Sequence, residues 1–329
     1  MPVIIRLKEM QPSISFFRTK IVVEKSLLCA IMKLISNYIE EVIMKITEII
    51  KSEKPSLSFE VFPPKTSDKF ESVLSAATEI AALKPSFMSV TYGAGGGTSE
   101  YTTAICKALN EHGVPSLAHL TCVSSDAVRI EAELKKLKEQ GIKNILALRG
   151  DIPEDFDKSK ICYHHASELM RKISDFGGFC IGGACYPEGH PESENSHRDI
   201  EGLKRKVENG CEFLTTQMFF DNNILYNFLY HLYKAGINIP VVAGIMPVTN
   251  AVQIKRICSI SSSALPQRFL RIVDRYGDDP AAMKQAGIAY ATEQIIDLYA
   301  NGINAVHIYS MNKPDIAAAI KSNVSEIIK

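Results

Sequence analysis

The sequence has no tryptophan and no excess of charge, since 37 Lys and Arg stand against 37 Asp and Glu over 329 residues. The missing Trp excludes nothing. The charge balance argues against nucleic acid as a partner, because a binder would show a basic excess or stripe. A small molecule is the expected ligand. Cysteine occurs eight times, at Cys29, Cys106, Cys122, Cys162, Cys180, Cys185, Cys211 and Cys258, but no pair has CxxC spacing. Without paired clusters there is no structural zinc site to expect. Several of these cysteines stand in apolar runs, where Cys is a small buried hydrophobe, and the pattern fits a reducing compartment.

No uncharged stretch reaches the roughly 20 residues of a membrane span. The most apolar segment, 26–43, is broken by Lys33, Glu40 and Glu41 and lacks the plan of a signal peptide. The expectation is a cytoplasmic protein with no membrane partner. Within this segment Leu27, Ile31, Leu34, Ile35, Tyr38, Ile39 and Val42 recur at helical spacing. Residues 1–43 therefore read as a helical N-terminal extension, or as an upstream-start artefact. Met44 begins a more natural opening: a short helix, a proline break and a strand.

From residue 56 short apolar runs alternate with helical patterns. The runs are Leu57–Phe62, Phe87–Tyr92, Ser116–Cys122, Ile145–Leu148, Cys180–Tyr186, Phe213–Phe219, Pro240–Ile245 and Ala305–Ser310. Length and β-branched or aromatic content make each a strand candidate. Among the intervening segments, Asp126–Gln140 has Ala127, Ile130, Leu134 and Leu137 on one stripe and stops at Gly141. Asn222–Ala235 reads the same way. Strands alternating with helices give a parallel sheet, and eight of them close a barrel. An open doubly wound sheet would carry GxGxxG after its first strand. Here the first strand runs into Phe62-Pro63-Pro64-Lys65, and the glycines at 93 and 95–97 lack that spacing. The fold class is thus α/β, a single (β/α)8 TIM barrel over 44–329.

Active sites of such barrels lie at the C-terminal ends of the strands. Six strands bring polar residues there: Glu60, Thr91 and Tyr92, His119, Arg149 with Asp151, Tyr186 with His190, and Gln217 with Asp221. Strands serving only as core would not need them, since burying unpaired polar groups costs free energy. Singly, each has a plainer explanation. A strand-end Glu more often bonds to backbone or a lysine, a His in an apolar strand is more often a satisfied core residue, and a run such as Leu203–Val207 is more often a solvated face.

Together the phrases SFEVFPPKT, SVTYGAGGGT, AHLTC, ALRGD, YPEGHPE, LKRKV, TTQMFFD, GIMPVTN and HIYSMNK change that balance. In order and spacing the chain resembles the methylenetetrahydrofolate reductase family over about residues 44–325, in its short bacterial form. The resemblance implies a bound FAD, reduced by NAD(P)H and reoxidised by 5,10-methylenetetrahydrofolate at one shared site, with ping-pong kinetics and, commonly, self-association. Glu60 matches the general acid that protonates N10. Asp151 matches a carboxylate beside flavin and folate. Gln217, Gln253 and Lys313 match folate contacts, although Lys313 stands where Arg is frequent and lacks its bidentate fork. The implied FAD residues are Thr91, Tyr92, Ala94, His119, Leu148, Arg149, Gly150, Asp151, His165, Ala166, Ala184, Tyr186, His190, Asp199, Gly202, Arg205 and Lys206. Arg149 and Lys206 suit phosphate oxygens, and Asp199 shares a helix face with Lys206. His165 stands where Tyr is frequent, and Ile257 replaces an aromatic near the nucleotide. The alternatives are a flavin barrel enzyme acting on another pterin and a non-catalytic flavin- or folate-binding protein. A metal-dependent lyase would need a larger ligand set than His119 and His190 supply.

Overall fold

A computed structural model describes residues 44–92, 99–152, 161–261 and 263–329, with backbone alone at 255, 256, 259 and 260. The expected extension over 1–43, and Ala94 with the glycines around it, lie outside the described residues.

Eight parallel strands close into a barrel in chain order. They are β1 Ser56–Val61, β2 Met88–Val90, β3 Ser116–Thr121, β4 Asn144–Leu148, β5 Cys180–Cys185, β6 Phe213–Thr216, β7 Val241–Ile245 and β8 Ala305–Tyr309. The seam joins Ser56 to Ala305 and Glu60 to Tyr309 in register. A short helix, α1 Ile46–Ile50, precedes β1, and helices return the chain outside the sheet: α2 Phe70–Ala81, α3 Ser99–Glu111, α4 Ala127–Glu139, α5 Ala166–Phe176, α6 Ser196–Glu208 and α7 Asn222–Lys234. Three more, α8 Ala251–Ser261, α9 Gln267–Tyr276 and α10 Pro280–Ala300, lie between β7 and β8, and α11 Pro314–Asn323 follows β8. None of the described helices is long and apolar enough to cross a membrane.

Each of the eight apolar runs is a strand. β6 ends at Thr216, three residues earlier than its apolar run, because Met218 N turns to donate to the Gln217 side chain at 2.9 Å. In α4 the side chain of Asp126 accepts from Arg129 N at 2.8 Å, satisfying an N-terminal donor. Ile130, Leu134 and Leu137 are buried against the sheet, whereas Ala127, in the first turn, is exposed.

The barrel's N-terminal end is closed by α1. Ile46 and Ile50 pack on an inner layer of Phe87, Leu117, Leu146, Cys180, Phe213, Val242 and Ala305. Asn144 fixes the plug, accepting from Ile46 N at 3.0 Å and donating to Ser116 O at 3.1 Å. Phe213 fits because residue 182 is glycine: a Cβ there would stand 2.4 Å from the ring. The plug leaves the opposite end, where the strands terminate, as the open one.

Candidate active site

Strand alternation sends every second side chain to the barrel interior. Near the C-terminal ends these side chains surround a cavity of about 220 Å³. Of the residues singled out in the sequence, Glu60, Thr91, His119, Leu148, Ala184, Tyr186 and Gln217 line it together. Leu117 and Leu146 form part of its lining and also belong to the plugged layer below.

Glu60 sits on one wall with its side chain 20% exposed. Its carboxylate accepts from Ser89 Oγ at 3.3 Å, and His119 Nε2 stands 3.6 Å away. Burial pushes the carboxyl up to about 7, against the smaller opposing effect of the Ser89 hydrogen bond. Among the described residues the carboxylate thus faces Ser89 and His119, and not the backbone group or lysine of the plainer alternative. His119 is buried and held neutral, its pKa brought down by burial to about 3, and its Nε2 has no hydrogen-bond partner.

Behind Glu60 lies a polar chain that sequence reasoning missed. Ser89 Oγ is 2.9 Å from His307 Nε2, and Ser58 Oγ is 2.8 Å from His307 Nδ1 and 3.0 Å from Val306 O. Burial, and secondarily the neighbouring His119, bring the His307 pKa to about 3. Ser89 has one hydroxyl hydrogen and two acceptors, Glu60 and His307 Nε2. A protonated Glu60 resolves the conflict by donating to Ser89, which then donates to the histidine. Period-two spacing was the available signal: Ser58 precedes Glu60 by two residues, Ser89 precedes Thr91, and His307 precedes Tyr309. Tyr309 closes the seam side, its hydroxyl donating to Thr216 O.

Of the remaining expected residues, Tyr92 and Ala166 pack on the hydrophobic core, and the others that are described lie outside the cavity. Arg149 follows β4, and both its Nη atoms engage the carboxylate of Glu192 while Nε donates to Gly150 O at 3.2 Å. Glu192 closes the phrase YPEGHPE, but its pairing with Arg149 escaped the sequence reading because the two are 43 residues apart in the chain. Gly150 has φ +86°, and a Cβ there would stand 2.9 Å from Thr121 Cβ, so backbone geometry alone demands glycine. Asp151 is exposed next to it. His165 is the N-cap residue of α5, and Ala166 opens that helix.

At the end of β5 the His190 ring stands edge-on to Tyr186 with centroids 4.5 Å apart. Its Nδ1 accepts from Glu192 N at 3.1 Å, which assigns the ring proton to Nε2 in the neutral form. Asp199 accepts from His190 N at 3.3 Å, and Lys206 donates to Ala184 O at 2.6 Å. Asp199 and Lys206 thus share the inward face of α6. Burial raises the Asp199 pKa and lowers that of Lys206. The basic run is only partly a solvated face: Arg205 is exposed, with half-buried Gly202 beside its side chain, while Lys206 turns in. Gln253 and Ile257 line a separate small groove beyond β7 with Thr249, and Lys313 donates to Thr249 Oγ1 at 3.2 Å. Gln253 is exposed and hence available to a ligand. Among the described residues there is no group of three or more side chains suited to a metal ion.

The chain matches a known family in sequence. The family model described as methylenetetrahydrofolate reductase matches residues 45–325. The chain is 33% identical over 266 residues to 5,10-methylenetetrahydrofolate reductase of Pectobacterium carotovorum, covering 80% of this chain and 88% of that one. It is 31% identical over 304 residues to methylenetetrahydrofolate reductase (NADH) 1 of Arabidopsis thaliana, covering 87% of this chain and 51% of the plant protein. Among solved structures, an uncharacterized protein from Clostridium thermocellum, described as binding two copies of 5-methyl-5,6,7,8-tetrahydrofolic acid, superposes with a TM-score of 0.61. That likeness covers 86% of this chain and 99% of the other at 13% identity, and it speaks for the fold alone. With the family model spanning the whole barrel and its plug, the chain belongs to the methylenetetrahydrofolate reductase family.

Proposed function

We propose that this protein reduces 5,10-methylenetetrahydrofolate to 5-methyltetrahydrofolate with electrons from NAD(P)H, and that residues 44–329 carry the activity. The observation that carries the reading is Glu60, a carboxyl in the cavity wall with a pKa of about 7. Opening the methylene bridge requires a proton on N10. The C–N10 bond then breaks and leaves a 5-iminium cation that accepts hydride. An ordinary carboxyl is ionised at neutral pH and cannot give that proton, whereas one titrating near 7 can. Its carboxylate form then faces the cation and recovers a proton before the next turnover.

The family implies FAD, and the residues present fit it. Two buried polar atoms of the cavity, His119 Nε2 and Thr215 Oγ1, lack protein partners, as expected where a polar ring system seats. Arg149 at the rim and Lys206 at the end of β5 would meet the phosphates, with Thr91, Leu148, Ala184, Tyr186 and His190 around the rest. FAD, when bound, supplies two-electron hydride transfer between nucleotide and folate. Asp151 and Gln217 would hold the pterin, while Gln253 and Lys313 beyond β7 would meet the rest of the folate. With the plug closing the far end, nucleotide and folate would use the same open face in turn, in ping-pong fashion.

An anaerobic absorbance titration of the purified protein tests this. The oxidised flavin spectrum should bleach with NADH or NADPH and return when methylenetetrahydrofolate is added. A protein that stays colourless after incubation with FAD contradicts the cofactor, and bleaching without return contradicts the folate substrate.

A further inference from the structure

We infer that Thr215 is a cofactor contact whose hydroxyl hydrogen-bonds the flavin ring system; this rests on the FAD reading above. Thr215 is 6% exposed and lines the cavity, yet its Oγ1 has no hydrogen-bond partner. Its register neighbours are Ala184 on β5 and Val242 on β7, and neither side chain can donate or accept. The next residue has the same hydroxyl used differently: Thr216 Oγ1 accepts from Gly244 N at 2.8 Å within the sheet. Of two successive threonines, one is spent on the barrel and the other is aimed at the cavity unpaired.

A buried hydroxyl without a partner is destabilising, and valine would fill the same volume without that cost. A hydroxyl at this position therefore implies a polar partner in the bound state. His119 Nε2, unpartnered in the same cavity, points to the same conclusion. Depth selects the partner. Thr215 precedes Gln217 by two residues on the same strand face, which places it roughly 6–7 Å deeper. The exchanging substrates must enter and leave across the rim, so the resident ring is what reaches the floor. The edge of a flavin that carries carbonyls and ring nitrogens can pair with a hydroxyl as donor or acceptor.

The test compares Thr215→Val and Thr215→Ala with Thr215→Ser on flavin-free protein titrated with FAD. The readouts are flavin fluorescence quenching, the visible spectrum of the bound flavin and its midpoint potential. Val and Ala should bind FAD about five- to tenfold more weakly, with a shifted spectrum and potential, while Ser stays within about twofold of the parent. Flavin-free Thr215→Val should melt no lower than the parent, which separates the loss from a folding defect. Val and Ala variants that bind FAD within about twofold, with the parent's spectrum and potential, overturn the contact. A parent that binds no FAD overturns the cofactor reading itself, before any variant is compared.

Discussion

At the N-terminal end of the barrel, Ile46 and Ile50 of α1 seal a layer in which Phe213 is fully buried and fitted against Gly182. Toward the C-terminal end, two residues further along the strands, stand Ser89, His119, Thr215 and His307, joined by Glu60 of β1, and two of their polar atoms lack protein partners. The lower layer can hold the barrel because nothing in it waits for a ligand. The upper layer carries groups that are costly in the protein alone and become useful when something binds. Leu117 and Leu146 belong to both, so the apolar plug is also the platform on which the polar cavity rests.

The largest effect should come from breaking the upper layer chemically. Glu60→Gln should lower the rate of the folate half-reaction by about 10²–10⁴-fold, the range of a lost general acid. Reduction of the flavin by NAD(P)H should be preserved, and rapid-mixing absorbance separates the two half-reactions. Breaking the lower layer should instead cost stability: Phe213→Ala should lower the unfolding free energy by about 3–5 kcal/mol, measured in urea.

A third effect has a sign set by titration. Glu60 has a pKa of about 7 in the fold against 4.5 as its ordinary value, so the folded protein holds its proton more tightly. The stabilisation is fully present below about pH 4.5 and is lost as pH rises through 7, amounting to about 3 kcal/mol. Glu60→Gln should match the parent's stability near pH 4.5 and exceed it by up to that amount at pH 8. His119 and His307, lowered to about 3, act oppositely: their contribution is present above about 6.5 and is lost as pH falls. The smallest effect should come from deleting residues 1–43, which should leave both half-reactions unchanged, provided Ile46 and Ile50 are kept.

The two ends also differed in how legible they were. The barrel could be read because each strand is a short apolar run and α4 announces itself with Asp126 and Gly141. Glu60, Thr91, His119, Ala184, Tyr186 and Gln217 were visible as polar or small residues at strand ends within recognisable phrases. Ser58, Ser89 and His307 open three of those same phrases but were not singled out, because each lies inside an apolar run where one polar residue looks incidental. Only closure of β8 onto β1 brings His307 to Ser58 and, through Ser89, to Glu60. The pairing of Arg149 with Glu192 depends on how two loops fold over the rim, which periodicity does not encode.

The central claim is that Glu60 gives its proton to the folate. The most direct measurement is the pH dependence of both half-reactions in the parent, by rapid-mixing absorbance between pH 5.5 and 9. The folate half-reaction should fall as pH rises through about 7 while the NAD(P)H half-reaction does not share that transition. A folate half-reaction that stays flat across the range, or one that merely tracks the nucleotide half-reaction, would contradict the assignment.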